Sequence, residues 1–190
     1  MQHFTCCIAR GEKAVLYGPS GHGKSTLLAS VPGFVLPDEG SIRIDGRTLD
    51  ATTVQQVRRR TAWLPQEFTL PYDTIQELIE APFRLRINQA LKPSRETVLE
   101  HFDRLGLEHE LYDKRSIEIS GGQRQRIMLM IAALLQKDIV LLDEPTSALD
   151  PDSIARVIDY IRSLHEATVL MVSHDARFID SFDRKIYIGD

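Results

Sequence analysis

The sequence predicts an α/β fold with a mostly parallel core sheet flanked by helices. Short β-rich runs recur along the chain, two of them are apolar throughout, and helical patterns lie between them. The two apolar runs, residues 139–142 and 169–172, are typical of strands covered on both faces of a sheet. A helical pattern such as that of residues 153–165 is the usual link between parallel strands. The expected strands are residues 14–17, 41–44, 61–64, 139–142, 168–172 and 186–188.

Residues 65–137 carry a different pattern from the rest of the chain. Segments 75–85 and 95–105 have helical spacing and no strand signal, and prolines punctuate this stretch. We therefore expect one domain spanning residues 1–190. In this domain a helical lobe, residues 65–137, is inserted into a core formed by residues 1–64 and 138–190.

Composition limits the classes of partner. The net charge of −4 argues against general binding of nucleic acid, which needs a basic face. The basic run of residues 58–60 is interpreted as a solvated surface. The longest apolar run, residues 127–135, is far shorter than the ~20 residues that span a bilayer. If the protein acts at a membrane, we expect another subunit to span it.

The two cysteines are adjacent in sequence, and neighbouring cysteines rarely form an unstrained disulfide. Phe4, Cys6 and Ile8 alternate, which predicts a strand with Cys6 facing the core. The N-terminus also lacks the charged-then-apolar pattern of a signal peptide. These features favour a reduced, cytosolic protein.

Residues 18–25 form a candidate phosphate-binding loop. They read Gly-Pro-Ser-Gly-His-Gly-Lys-Ser and lie between a β-rich run and a helix-like segment. In this context main-chain N–H groups and the helix N-terminus bind anions. Lys24 can reach the outer phosphates and the Ser25 hydroxyl can hold Mg²⁺. An ordinary glycine-rich turn beside a lysine is the alternative, and the strand–helix context makes it the weaker one. The expected phosphate contacts are Gly18, Pro19, Ser20, Gly21, His22, Gly23, Lys24, Ser25 and Thr26.

Polar residues follow three of the expected strands. Asp143 and Glu144 end a buried run, at the sheet edge where ligands bind in α/β proteins. There Asp143 could hold Mg²⁺ through water, and Glu144 could polarise a water in line with the γ-phosphate. Gln66 could contact the metal or the attacking water, and His174 could donate to the γ-phosphate. Either of these two, taken alone, is more often structural, and the acids could merely cap a strand.

A second candidate anion site opens the apolar helix expected over residues 126–135. Serine and glycines lie at its N-terminus, in the run Ser120, Gly121, Gly122 and Gln123. Two phosphate sites on one chain raise the question of which phosphate the second one binds. In a symmetric head-to-tail dimer each loop would face the partner's second site, so that one nucleotide is held between two chains.

With these motifs the chain resembles the ATPases of the ABC transporter family. Residues 18–25 are similar to the Walker A motif, 119–123 to the signature and 139–144 to Walker B. Gln66, Asp150 and His174 correspond to the Q-loop, the end of the D-loop and the H-loop. The resemblance implies a P-loop NTPase fold and an ATPase that binds ATP and Mg²⁺. It implies catalytic roles for Glu144, His174 and Gln66, metal contacts from Ser25, Gln66 and Asp143, and a nucleotide contact from Asp150.

The resemblance also implies partners and a location. A second ATPase chain would complete a dimer around two ATP molecules, and a membrane-spanning permease subunit would place this dimer at the cytoplasmic face of the membrane. The motif mixture is most similar to small stand-alone efflux ATPases, including bacterial iron or metal exporters.

Some positions depart from the family pattern. Ile119 replaces the first leucine of the signature, and Ile131 replaces a common arginine. The sequence before Gly18 supplies no aromatic residue from the usual place for stacking on adenine, so we expect poor discrimination between bases.

Two alternatives remain. A non-transport ABC ATPase of DNA repair would need a long coiled coil, and residues 67–119 carry no sustained heptads. ABC-type translation factors carry two ATPase domains in one chain, whereas this sequence shows the motifs of one. A module that binds nucleotide without turnover is disfavoured because Lys24, Gln66, Glu144 and His174 are all present.

Overall fold

The computed structural model describes residues 4–67 and 71–189, and its centre is a five-stranded sheet. The strands are β1 (Lys13–Tyr17), β2 (Arg43–Ile44), β3 (Arg47–Thr48), β4 (Thr61–Leu64), β5 (Ile139–Asp143), β6 (Thr168–Val172) and β7 (Arg184–Tyr187). The α-helices are α1 (Lys24–Ser30), α2 (Val54–Arg59), α3 (Ile75–Glu80), α4 (Arg95–Leu105), α5 (Gly121–Leu134), α6 (Pro151–Arg162) and α7 (Ala176–Asp180). Short 3₁₀ helices lie at Ala81–Arg84, Gln89–Leu91, His109–Asp113 and Ser116–Glu118.

The central sheet has the strand order β4-β5-β6-β1-β7, and every pair in it is parallel. Leu16 of β1, for example, lies between Val172 of β6 and Ile186 of β7. Because all strands run the same way, their carboxyl ends lie along one edge, where ligands bind in α/β folds. The predicted α/β fold with a parallel core sheet is confirmed.

Both faces of the sheet are covered, which explains the continuously apolar strands. Ala14 and Leu16 face a cluster with Leu28 of α1. Val15, between them, faces a larger cluster that includes Ile127 of α5 and residues of α3, α4 and α6. Each apolar strand residue therefore has a packing partner on its own side.

Two of the helices between β4 and β5, α3 and α4, begin directly after a capping residue. Thr74 caps α3 and forms a reciprocal capping box with Glu77. The helix predicted over 75–85 ends earlier, at Glu80, because Pro82 cannot donate a helical hydrogen bond and the chain continues as a 3₁₀ turn. The helix predicted over 95–105 is confirmed. Ser94 begins it and Gly106, with φ +62°, ends it. The division into core and lobe stays a prediction.

The strand predicted at 41–44 is much shorter than expected. β2 pairs only with β3, in an antiparallel hairpin. Asp45 and Gly46 have φ values of +50° and +76°, as the type I′ turn of such hairpins requires. The segment therefore forms a small separate sheet and adds no strand to the central one.

The strand predicted around Cys6 is wrong. Residues 4–9 have no strand structure, and both Cys6 and Cys7 are exposed free thiols. Phe4 and Ile8 do pack against the cluster on the α1 side of the sheet. The alternation therefore reflects packing of two apolar side chains without strand pairing.

The basic run at 58–60 is only partly solvated. Arg58 donates to the carbonyl oxygens of Pro32 and Gly33, at 2.8 and 3.1 Å. Arg60 forms ion pairs of 2.7 Å with both Asp45 and Asp138. These two arginines connect loops, and only the side chain of Arg59 is exposed as expected.

Within the described residues, each helix is either too short or too polar to cross a bilayer.

Candidate active site

The loop that follows β1 closes tightly around its own main chain. Gly18, Gly21 and Gly23 have φ values of +142°, +81° and +83°, which glycine adopts without strain. A Cβ atom on Gly18 would lie 2.0 Å from the carbonyl oxygen of Ile188. Glycine is therefore required at the start of the loop, and the chain turns directly from β1 into α1.

Lys24 lies inside this loop. It is 5 % exposed, and its Nζ donates to the carbonyl oxygens of Gly18 and Pro19, at 3.0 and 2.7 Å. An ammonium group has three donors, so these two bonds leave one for a ligand. The positive charge is held at the place where the sequence predicts the outer phosphates.

Ser25 and Asp143 form the second contact of the site. The Ser25 hydroxyl donates to Oδ1 of Asp143 over 3.1 Å, joining α1 to the end of β5. Burial raises the pKa of Asp143, while the hydrogen bond from Ser25 and the charge of Lys24 oppose that rise. Hydroxyl and carboxylate oxygens are the donors that Mg²⁺ prefers, so this pair fits such an ion.

Glu144 is a buried carboxylate in an uncommon main-chain conformation. It is 7 % exposed and has φ +51°. Its Oε1 lies 3.2 Å from Nε2 of His174, but the geometry is not that of a hydrogen bond, and Oε1 has no other partner among the described residues. A buried oxygen without a partner is unusual and calls for a functional reason.

Burial raises the pKa of Glu144 to about 7. The main-chain N–H of His174 opposes this rise, and the neighbouring charge of Asp143 adds to it. A carboxyl group with a pKa near the working pH can accept a proton more readily than an ordinary glutamate. The same shift results from desolvation in other buried carboxyl groups.

The signature segment is held by reciprocal caps. Ser120 Oγ accepts from the N–H of Gln123 at 3.1 Å, and Gln123 Oε1 accepts from the N–H of Ser120 at 2.8 Å. A Cβ atom on Gly122 would lie 2.9 Å from the carbonyl oxygen of Ala148. The close approach of Ala148 and Leu149 therefore requires glycine there.

Asp150 caps α6 and accepts from the N–H groups of Asp152 and Ser153, at 3.1 and 3.0 Å. Hydrogen bonds from the Ser153 side chain and main chain lower the pKa of Asp150 to about 2. Its carboxylate is thereby fixed at the start of α6, directly after the segment that contacts Gly122.

The structure brings together some of the predicted site residues and separates others. Lys24, Ser25 and Asp143 meet beside Glu144 and His174 at the carboxyl edge of the sheet. His22 Nδ1 lies 3.1 Å from the carbonyl oxygen of Ser20 in the same loop, and Thr26 lies in the first turn of α1. Gln66 follows β4, is exposed, and makes no side-chain hydrogen bond within the described part of the chain.

The two phosphate-type segments are not joined by polar contacts within the described part of one chain. Across residues 4–67 and 71–189, no hydrogen bond or ion pair links residues 18–25 with residues 120–123.

One residue of this region was not predicted. Gln125 of α5 is buried, and its Nε2 donates to the main-chain carbonyl oxygen of Glu144 at 3.1 Å. Its sequence neighbours Arg124 and Arg126 are also polar, so no local pattern distinguishes it from an exposed glutamine.

Comparison with known proteins agrees with the motifs. Residues 1–147 match the family model described as ABC transporter. The glutamine transport ATP-binding protein GlnQ of Bacillus subtilis is 32% identical over 190 residues, covering 96% of this chain and 78% of GlnQ. The arginine transport ATP-binding protein ArtP of Escherichia coli is 37% identical over 179 residues, covering 87% of this chain and 72% of ArtP. Neither name concerns metal export, so the predicted efflux type stays a prediction.

The fold has a close structural relative. A dimeric post-hydrolysis state of the ATP-binding cassette MJ0796, bound to ADP and Pi, matches with a TM-score of 0.81 and 30% identity. The match covers 96% of this chain and 83% of the other. This chain belongs to the ABC transporter family, and it is an ATP-binding protein and ATPase of that family.

Proposed function

We propose that this protein is the ATP-hydrolysing subunit of a transporter, and that it works as a dimer attached to a membrane-spanning permease. The observation that carries the proposal is the meeting of Lys24, Ser25 and Asp143 beside Glu144 at one sheet edge. A lysine, a hydroxyl and two acids in this order are the parts that phosphoryl transfer from ATP requires.

Ser25 and Asp143 hold the magnesium site in this proposal, with Gln66 approaching from the end of β4. The hydroxyl and the carboxylate are 3.1 Å apart, so both can serve one small cation. A bound Mg²⁺ supplies positive charge that offsets the charge of the phosphates. Lys24 binds the outer phosphates with its remaining donor, and the loop N–H groups orient them.

Glu144 acts as the general base. Its Oε1 has no hydrogen-bond partner among the described residues, so it is free to accept a proton from a water molecule. His174 lies 3.2 Å from that oxygen and is about half exposed. It is placed to donate a hydrogen bond to the γ-phosphate and to keep the carboxylate and the phosphate aligned.

A second chain completes the site. The residues at the start of α5 make no hydrogen bond or ion pair with residues 18–25 of their own chain within the described ranges; they are Ser120, Gly121, Gly122 and Gln123. The relative MJ0796 is a dimer bound to ADP and Pi, which supports a head-to-tail pair in which these residues contact the partner's nucleotide. Asp150, next to this segment, belongs to the same contact. The dimer could be formed by two copies of this chain or by two different ATPases.

The membrane-spanning part of the transporter is assigned to the permease partner. No helix within residues 4–67 or 71–189 could span a bilayer, and the relatives GlnQ and ArtP are named as ATP-binding proteins of transport. We place the dimer on the cytoplasmic face, where ATP is available, with the exposed Leu85, Ile87 and Ile117 of the helical region on the side that meets the permease.

Co-expression tests this proposal. We expect the neighbouring reading frame to encode a multi-span membrane protein. The ATPase is produced together with that protein, captured in detergent by a tag on the membrane protein, and assayed for ATP hydrolysis. We expect capture of the ATPase and a Mg²⁺-dependent rate that a Lys24→Ala variant lacks. Absence of capture refutes the permease partner. Equal rates in the wild type and in the Lys24→Ala variant refute the assigned site.

A further inference from the structure

Gln125 is the polar residue on the buried side of α5. Its side chain is 5 % exposed, and later positions on the helix, Ile127, Leu129 and Met130, are fully buried and apolar. The Nε2 group donates to the main-chain carbonyl oxygen of Glu144 at 3.1 Å. A buried amide contact of this kind joins two elements and not two neighbouring residues, because 19 positions separate the partners.

The acceptor is the carbonyl oxygen of Glu144, whose main-chain conformation has to be held by its surroundings. Glu144 has φ +51°, a conformation that residues with a Cβ atom seldom adopt unless the surroundings hold them there. On its N-terminal side, the N–H of Glu144 donates to the carbonyl oxygen of Val172 at 3.0 Å. On its C-terminal side, the carbonyl oxygen accepts from Gln125 and, at 3.3 Å, from the N–H of Ser147.

The direction of the Glu144 carboxylate therefore depends on its main chain. Nε2 of His174 lies 3.2 Å from the carboxylate Oε1, but Oε1 accepts no hydrogen bond within the described residues, so no side-chain hydrogen bond at that oxygen fixes it. The main-chain torsions set where the side chain leaves the strand end. The shorter of the two contacts to its carbonyl group comes from Gln125.

We infer that Gln125 is a positioning residue, which holds the main chain of Glu144 so that its carboxylate points toward the attacking water. This inference rests on the proposed function, since it assumes that Glu144 is the base. With this assignment α5 has two roles. The helix begins with the segment 120–123, proposed to contact the partner's nucleotide, and five residues after Ser120 it anchors the base of its own chain. This helix thus links the geometry of one site to the contact surface of the other.

The test uses two substitutions and a control on the same helix. Gln125→Met keeps the length and removes the donor, and Gln125→Asn keeps an amide that is one methylene too short for the bond. Met130→Leu, a buried change elsewhere on α5, measures the effect of repacking alone. We expect both Gln125 variants to lose about 10²-fold in kcat, the loss that a misplacement near 1 Å can cause. KM for ATP should stay within about twofold, and Met130→Leu should keep the wild-type kcat.

A binding measurement excludes a general structural defect. In a Glu144→Gln background, Gln125→Met should still allow ATP-dependent dimerisation, because the amide acts on the base and not on nucleotide contacts. A wild-type kcat in both Gln125 variants overturns the inference. So does a rise in KM together with loss of the dimer. A wild-type protein without ATPase activity, or a Glu144→Gln protein that never dimerises with ATP, would refute the proposed function instead.

Discussion

The hydroxyl of Ser25 donates a 3.1 Å hydrogen bond to the carboxylate of Asp143, although 118 positions separate the two residues. The parallel sheet causes this meeting. β1 and β5 are separated only by β6, and both strands end at the same edge. Ser25 lies in the first turn after the β1 loop and Asp143 is the last residue of β5. This bond joins the start of α1 to the end of β5, so that the hydroxyl and the carboxylate lie together at the carboxyl edge of the sheet.

Lys24→Ala should weaken ATP binding enough that productive turnover is lost. The ammonium group makes two hydrogen bonds to loop carbonyls, and hydrogen bonds to charged groups contribute roughly 1.5–3 kcal/mol each. Loss of one such bond to a phosphate weakens binding by about 10- to 100-fold. Titration with a fluorescent nucleotide measures this. Lys185→Ala, at a lysine paired with Asp180, serves as the control, and wild-type affinity and turnover in Lys24→Ala would contradict the assignment.

Glu144→Gln should bind ATP normally and nearly stop hydrolysis. Glutamine keeps the shape and removes the base, and such losses amount to ~10²–10⁴-fold in rate. Unhydrolysed ATP would then hold two chains together. Size-exclusion chromatography with ATP and Mg²⁺ checks the dimer, with Glu166→Gln, at an exposed position, as the control. A variant that stays monomeric at high protein concentration would count against a homodimer.

Mixing two defective chains tests the shared site. Lys24→Ala damages the loop and Ser120→Arg damages the signature segment, so a mixed dimer has one intact composite site and one with both defects. The mixture should hydrolyse ATP faster than either variant alone. Crosslinking between residue 20 of one chain and residue 120 of its partner, with ATP bound, provides a second readout. Failure of both measurements would refute the head-to-tail pair.

Sequence patterns predicted the parts of the site that depend on local chemistry. The loop at 18–25 and the acids that end β5 lie where the strand and helix signals placed them, because a buried parallel strand must deliver its last residues to the ligand edge. Ser120 was predicted only as a phosphate contact before a helix, and the structure adds that its hydroxyl caps this helix by accepting from the N–H of Gln123.

Long-range contacts could not be predicted in the same way. The bond from Gln125 to Glu144 depends on how α5 packs against the sheet, and the sequence around Gln125 is polar on both sides. Similarly, Cys6 lies in an alternating pattern but is exposed, because packing of Phe4 and Ile8 does not require a strand. Pattern periodicity alone therefore fixes neither the burial of a given side chain nor the partner that it meets.

The stability of the nucleotide-free protein should depend on pH through Glu144. Burial raises the pKa of this carboxyl from 4.5 to about 7 in the folded state, so the folded protein holds the proton more tightly than the unfolded chain. The resulting stabilisation is complete below pH 4.5 and is lost as the pH rises through about 7. Glu144→Gln is neutral throughout, so its melting temperature should exceed that of the wild type by more at pH 8 than at pH 5. Thermal denaturation without nucleotide measures both differences, with Glu166→Gln as the baseline for a surface change. A difference that is constant with pH, or larger at pH 5, would show that the Glu144 carboxylate does not lose solvation on folding.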